Sequence, residues 1–144
     1  MRVYLDSCCF SRPFDDQNSI VVRLETDAKL HVQELIRSNQ LELCWSFVLE
    51  YENGKNPVDE ARAQIGAWRR VATAKCKSKE PIFAKAEQLM KLGLKQMDAS
   101  HLACAIHLGA DFFLTTDKKI LNKPITEITV LNPIDFIRRL EHVK

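Results

Sequence analysis

Residues 98–119, "DASHLACAIHLGADFFLTTDKK", hold the passage that decides the fold. Asp98 opens an otherwise apolar stretch that reads as a helix, with Gly109 at its end. The apolar run "FFLTT" follows as a strand, and a second acid, Asp117, comes just past it. A carboxylate beside a core costs free energy unless something positive sits next to it. Two acids at such boundaries therefore ask for a counter-charge.

The rest of the chain repeats this alternation. "RVYLD" is a short β-prone run that gives way to Asp6. "SIVVRLETDAKLHVQELIRSNQ" carries apolar residues at close to helical period. "LELCW" is a second strand, leading into "SFVLEYENGKNP", where Ser46 caps a short helix that ends near Gly54 and Pro57. "VDEARAQIGAWRRVATA" is amphipathic, and "EPIFAKAEQLMKLG" is a further helix stopping at Gly93. "EITVLNP" supplies another strand before the closing helix "IDFIRRLEHV". Strands alternating with helices predict a parallel sheet covered on both faces. No internal repeat or linker interrupts the pattern, so residues 1–144 are expected to form a single α/β domain.

Composition narrows the function classes. Of the 144 residues, 46% are hydrophobic and 28% charged, with a net charge of +2, an ordinary globular balance. No apolar run approaches the roughly 18 to 20 residues of a membrane helix. "MRVYLDSCCF" lacks the form of a secretion signal, and a cytoplasmic location is the expectation. The five cysteines include no C-x-x-C pair, so neither a zinc ribbon nor a disulfide framework is indicated. Reduced, mostly buried thiols are expected, with a redox-active Cys8–Cys9 pair as the alternative. No P-loop, G-x-G-x-x-G or G-x-S-x-G is present. Cys8 stands where a haloacid-dehalogenase-type phosphatase would carry a second Asp.

Four acids fall at or near the carboxyl ends of predicted strands, where open parallel sheets gather ligands. Asp6 closes the first strand, Glu52 lies in the helix after the second, Asp98 opens its helix, and Asp117 follows "FFLTT". Each has a plain structural reading alone. Asp98 suits a helix N-terminus, Asp117 a turn with Thr115 or Thr116, and Glu52 a solvated helix face like that of Glu50. Brought together they behave differently. Two like charges about 5 Å apart at an effective dielectric near 20 repel by about 3 kcal/mol. Converging carboxylates must take up protons or gather a cation. Oxygen ligands suit Mg²⁺ or Mn²⁺, and the chemistry implied is metal-assisted phosphodiester hydrolysis.

At these residues the sequence resembles the PIN-domain family, which includes the VapC-type toxins, over essentially the whole chain. "VYLDSCCF" matches the opening strand-plus-Asp motif. "WSFVLEYEN" resembles the family's serine followed six residues later by a glutamate, which points to Glu52. "MDASHLACAIHLGADFFLTTDKKI" matches the long signature that supplies Asp98 and Asp117, with Thr115 as an orienting hydroxyl. The resemblance implies a three-layer α/β/α sandwich with a central parallel sheet, and Mg²⁺- or Mn²⁺-dependent endoribonuclease activity. It also implies homodimerisation and, for a toxin, an antitoxin partner. Asp6, Glu52 and Asp98 would form the metal shell, with Asp117 binding directly, through water or to a second ion. Ser7 and Ser46 would support the carboxylates. Leu49 stands where typical toxins carry a threonine. "CCFSRPFDDQ" and "YENGKNP" resemble a bacterial subgroup distinct from the best-known toxins.

"RRVATAKCKSK" concentrates Arg69, Arg70, Lys75, Lys77 and Lys79, either as a solvated face or as a phosphate-tracking rim for RNA. Arg12 shares the first-strand end with Asp6 and can meet a phosphate or pair with Asp15 or Asp16. His101 shares a helix face with Asp98, which allows a role near the acids or simple packing. Phe112, Phe113, Trp45 and Trp68 read as core, and Asp111 either as an extra acid near the same edge or as a residue that only terminates a helix. Two rivals stand beside the nuclease: a phospho-accepting receiver domain, whose required Asp and Lys placements are missing, and a PIN-like module that binds RNA or protein with little catalysis.

Overall fold

The computed structural model describes residues 1–76 and 80–143. Among them, five strands form one sheet: β1 (Arg2–Leu5), β2 (Glu42–Ser46), β3 (Ala74–Cys76), β4 (Phe112–Leu114) and β5 (Thr129–Leu131). Their order is β3-β2-β1-β4-β5, and every neighbouring pair is parallel. The helices are α1 (Ser7–Ser11), α2 (Ile20–Arg37), α3 (Phe47–Gly54), α4 (Asp59–Gly66), α5 (Glu80–Met90), α6 (Gln96–His107), α7 (Lys118–Leu121) and α8 (Pro133–Val143). Connections from β1 to β3 run one way along the sheet, and those from β3 to β5 run the other way. Right-handed crossovers therefore place the two sets of helices on opposite faces. Accordingly α2 packs on α8, and α5 on α6. The result is the expected α/β/α sandwich.

β1 and β4 lie at the centre because their residues tolerate burial on both faces. Val3, Tyr4, Leu5, Phe113 and Leu114 are all 0% exposed, as apolar strands of a parallel sheet should be. Tyr4 stacks on its register partner Phe113, with centroids 5.3 Å apart. α6 seats closely on this layer because its inward residues include Ala99, Ala103, Cys104 and Ala105, each 0% exposed. Gly93 and Gly109 end α5 and α6 at positive φ, +93° and +68°, where a Cβ would be strained.

Three local features depart from the sequence reading. β3 begins at the last residue of the stretch read as amphipathic and runs on beyond it; its three residues are too short for a period-2 signal, and pairing with β2 creates it. α1 follows β1 directly, with Asp6 as its N-cap. Asp111 does not lie on the edge shared by the four acids: its Oδ2 accepts from the Arg2 backbone N–H at 2.8 Å, at the amino ends of β1 and β4. There the Arg2 guanidinium also meets Glu42 and the Leu108 carbonyl, so Asp111 closes the far end of the sheet. No helix is long and apolar enough to cross a membrane, among the described residues.

Candidate active site

The sheet changes winding direction between β1 and β4, and ligands of open α/β sheets collect at the carboxyl ends of such a pair. Here the Asp6 backbone N–H donates to the Leu114 carbonyl at 2.9 Å, which brings the two strand ends side by side. Asp6 is 5% exposed. Its Oδ1 accepts from the Ser7 backbone N–H at 2.9 Å, and its Oδ2 accepts from the Thr115 hydroxyl at 2.8 Å. The Cys8 thiol lies 3.4 Å from the same Oδ2. A carboxylate held by several donors is fixed in orientation.

α3 brings the second acid. Ser46 ends β2 and caps this helix, its Oγ accepting from the Leu49 backbone N–H at 3.1 Å. Glu52 then projects towards Ser7, whose hydroxyl donates to Glu52 Oε1 at 2.9 Å. Glu50 faces elsewhere, accepting from the Trp45 indole at 2.9 Å, so Glu52 is the site acid of the pair. The same Glu52 oxygen contacts His101 Nε2. That nitrogen lies 3.9 Å from Asp6 Oδ1.

His101 is the residue that sequence reasoning left undecided. It is 0% exposed, beneath the carboxylates and not among surface groups. Its Nδ1 lies 2.6 Å from the Tyr4 hydroxyl, which lies 2.6 Å from Ser46 Oγ. A relay thus runs from the α3 cap through Tyr4 and His101 to Glu52. Burial pushes the Tyr4 pKa well above its ordinary value, with Cys104 adding to the effect, so its O–H is retained as a donor. The one signal in the sequence was the spacing from Asp98, which shares a helix face with His101.

Asp98 lies in the first turn of α6, and Asp117 caps α7 by accepting from the Lys119 N–H at 2.9 Å. Neither belongs to the tight group. Their charges still meet the others: burial raises the Asp98 pKa, Asp6 and Asp117 raise it further, His101 opposes, and Glu52 adds to the rise. Burial also pushes Glu52 up, but the hydrogen bond and charge of His101, then Ser7 and Lys55, leave it below its ordinary value. One acid is relieved by a neighbour and another is not.

Asp6, Glu52 and His101 each offer one ligand atom, all within 4.8 Å of one another. Two oxygens, a nitrogen and uncompensated negative charge at Asp98 fit a divalent cation. A pH effect follows. A raised Asp98 pKa means that the folded chain without metal holds that proton longer than the unfolded chain does. Its contribution to stability is present at low pH and is lost as pH rises through the Asp98 range. In chelator at neutral pH, Asp98→Asn should raise the unfolding midpoint by about 1 to 2 °C, a small effect because solvent screens this half-exposed group. Thermal unfolding checks this, and an unchanged or lower midpoint would contradict it.

Arg12 is held on this rim by several contacts. Its guanidinium donates to Asp15 at 2.8 Å and to the Thr116 hydroxyl at 2.7 Å, and pairs with buried Glu25 at 3.2 Å. Lys75 is exposed on β3, and Arg69 lies 3.8 Å from Glu50. Lys77 and Lys79 fall outside the described residues. Among the described residues the cysteines form no disulfide; Cys8 is partly buried and the other four are buried.

Comparison with known proteins agrees with this geometry. The PIN-domain family model matches residues 3–125. No curated protein matches the chain. Among solved structures, the chain is similar to the crystal structure of VapBC2 from Rickettsia felis bound to a DNA fragment from their promoter. The TM-score is 0.56 at 12% identity, covering 92% of this chain and 98% of that one. At that identity the likeness concerns the fold, while the family match rests on the sequence. With an acid at the end of β1, a second on α3 and two more flanking β4, the chain belongs to the PIN-domain family.

Proposed function

We propose that this protein is a Mg²⁺- or Mn²⁺-dependent endoribonuclease. The observation that supports it most is the meeting of Asp6 and Glu52 at the β1–β4 switch point, with Asp98 in electrostatic reach. Asp6, Glu52 and Asp98 would hold the cation, with Asp117 beside them and His101 beneath. A bound dication offsets charge on a phosphodiester and makes water a better nucleophile at neutral pH. The chain's own contribution is orientation. Ser7 and Thr115 fix the two carboxylates, and Ser46 fixes the helix that carries Glu52. Arg12 and Lys75 are assigned to the RNA backbone, with Lys77 alongside them; such contacts position phosphates without reading sequence.

The protein also fits the toxin half of a toxin–antitoxin pair, acting as a homodimer in the cytoplasm. Support comes from the fold shared with the VapBC2 structure. Incubating a mixed RNA pool with Mg²⁺, Mn²⁺ or chelator, then mapping the ends, tests the nuclease. Cleavage inside the chain, restored by either ion and stopped by chelator, is expected. RNA binding without cleavage under every condition would replace this reading with that of a binding module.

A further inference from the structure

α2 presents Lys29, Gln33 and Arg37, each four residues after the last and so on one helical face, to a cavity of about 400 Å³. Phe10, Phe14 and Trp68 form much of its remaining wall, and its lining contains no carboxylate. None of the four acids, His101 or Ser7 lines it. A neighbouring hollow of about 380 Å³ does reach Ser7 and Glu52, and the two share Phe10, Phe14 and Ile65 as a partition.

Two polar groups on this wall are unusual. Lys29 is 4% exposed, and among the described residues it has neither an ion pair nor a hydrogen bond. Its Nζ lies over the Phe10 ring, 5.9 Å from the centroid. Gln33 is also 4% exposed, and its Nε2 has no hydrogen-bond partner. A buried amide N–H costs free energy when unpaired, and the largely buried Lys29 stem brings its ammonium to the cavity wall with no acid to pair it. The cost is visible at Lys29, where burial pulls the pKa down to about 8 despite Cys9, with Arg37 adding to the fall. A methionine would fill the same space without it. Arg37, exposed, stacks its guanidinium on Trp68 at 4.6 Å, adding a second cation without an acid nearby.

These observations share one remedy. We propose that this cavity binds a small organic carboxylate with a flat apolar body: Lys29 Nζ and Gln33 Nε2 hold the charged end, and Phe10, Phe14 and Trp68 enclose the apolar part. One deep ammonium matches a monoanion. A dianionic phosphate ester would need Arg37 as well, and that group is committed to Trp68. Pockets of this size, apolar with a few polar groups, are typical of small-ligand sites. The proposal is independent of the nuclease chemistry, since it uses none of the residues assigned there.

Calorimetry on the full chain tests it with benzoate, neutral benzamide and phenyl phosphate. Benzoate should saturate one site at least about tenfold more tightly than benzamide. Lys29→Met should erase that preference while raising the ligand-free unfolding midpoint, because it removes an unpaired ammonium that burial disfavours. Gln33→Leu should weaken benzoate several-fold without changing the ranking. The proposal is overturned by the absence of saturable benzoate binding, by equal affinity for benzamide, or by tighter phenyl phosphate. A destabilised or unfolded Lys29→Met overturns it too, since the ammonium would then have a structural partner.

Discussion

Asp6→Asn should lower divalent-cation-dependent RNA cleavage by about a thousandfold while moving the unfolding midpoint by no more than about 2 °C. The asymmetry follows from what holds the side chain. An asparagine oxygen can still accept from the Ser7 N–H and cap α1, and the Thr115 hydroxyl can turn to accept from the new amide. The local hydrogen bonds survive, while one negative charge and one cation ligand are lost. Single-turnover cleavage beside thermal unfolding separates the two effects. A rate within about tenfold of wild type would remove Asp6 from the site.

His101→Ala should cost about 3 kcal/mol of stability, lowering the midpoint by roughly 6 to 12 °C. Several losses coincide there. A fully buried ring leaves a void, and the Tyr4 hydroxyl and Ser46 lose the end of their relay. Glu52 loses the partner that most opposes its burial, so its carboxyl takes up a proton at higher pH and holds a cation less well. Denaturant unfolding reads the first effect, and Mn²⁺ titration reads the second. His101→Gln returns a donor and should recover part of the Mn²⁺ affinity. Wild-type affinity in the alanine variant would show that the relay does not position Glu52.

The sheet was legible in the sequence wherever burial on both faces forced a continuous apolar run, as in β1 and β4. Asp6, Asp98 and Asp117 stood out in the sequence because each lies at or near the end or the start of an element, and Glu52 through its spacing from Ser46. β3 was not, because Ala74, Lys75 and Cys76 carry little intrinsic preference and gain their conformation from β2. His101 was not, because what gives it meaning lies far along the chain: Tyr4 is 97 residues away and Glu52 is 49. The partners of Arg12 were half visible. Asp15 is local, but Glu25 and Thr116 meet it only through the packing of α2 and the β4 end. Asp111 was misplaced for a related reason, since an acid between a helix and a strand belongs to the strand's amino end.

The bond between Thr115 and Asp6 joins residues 109 positions apart, and β1 leaves the ribosome well before β4. At usual rates of synthesis the interval between them is on the order of ten seconds. For much of it the nascent chain carries Asp6 and Glu52 but lacks the Thr115 hydroxyl that orients Asp6. A polypeptide cut short before β4 would carry Asp6 and Glu52 but not the Thr115 hydroxyl that orients one of them, so the centre is complete only once residue 115 has joined the fold.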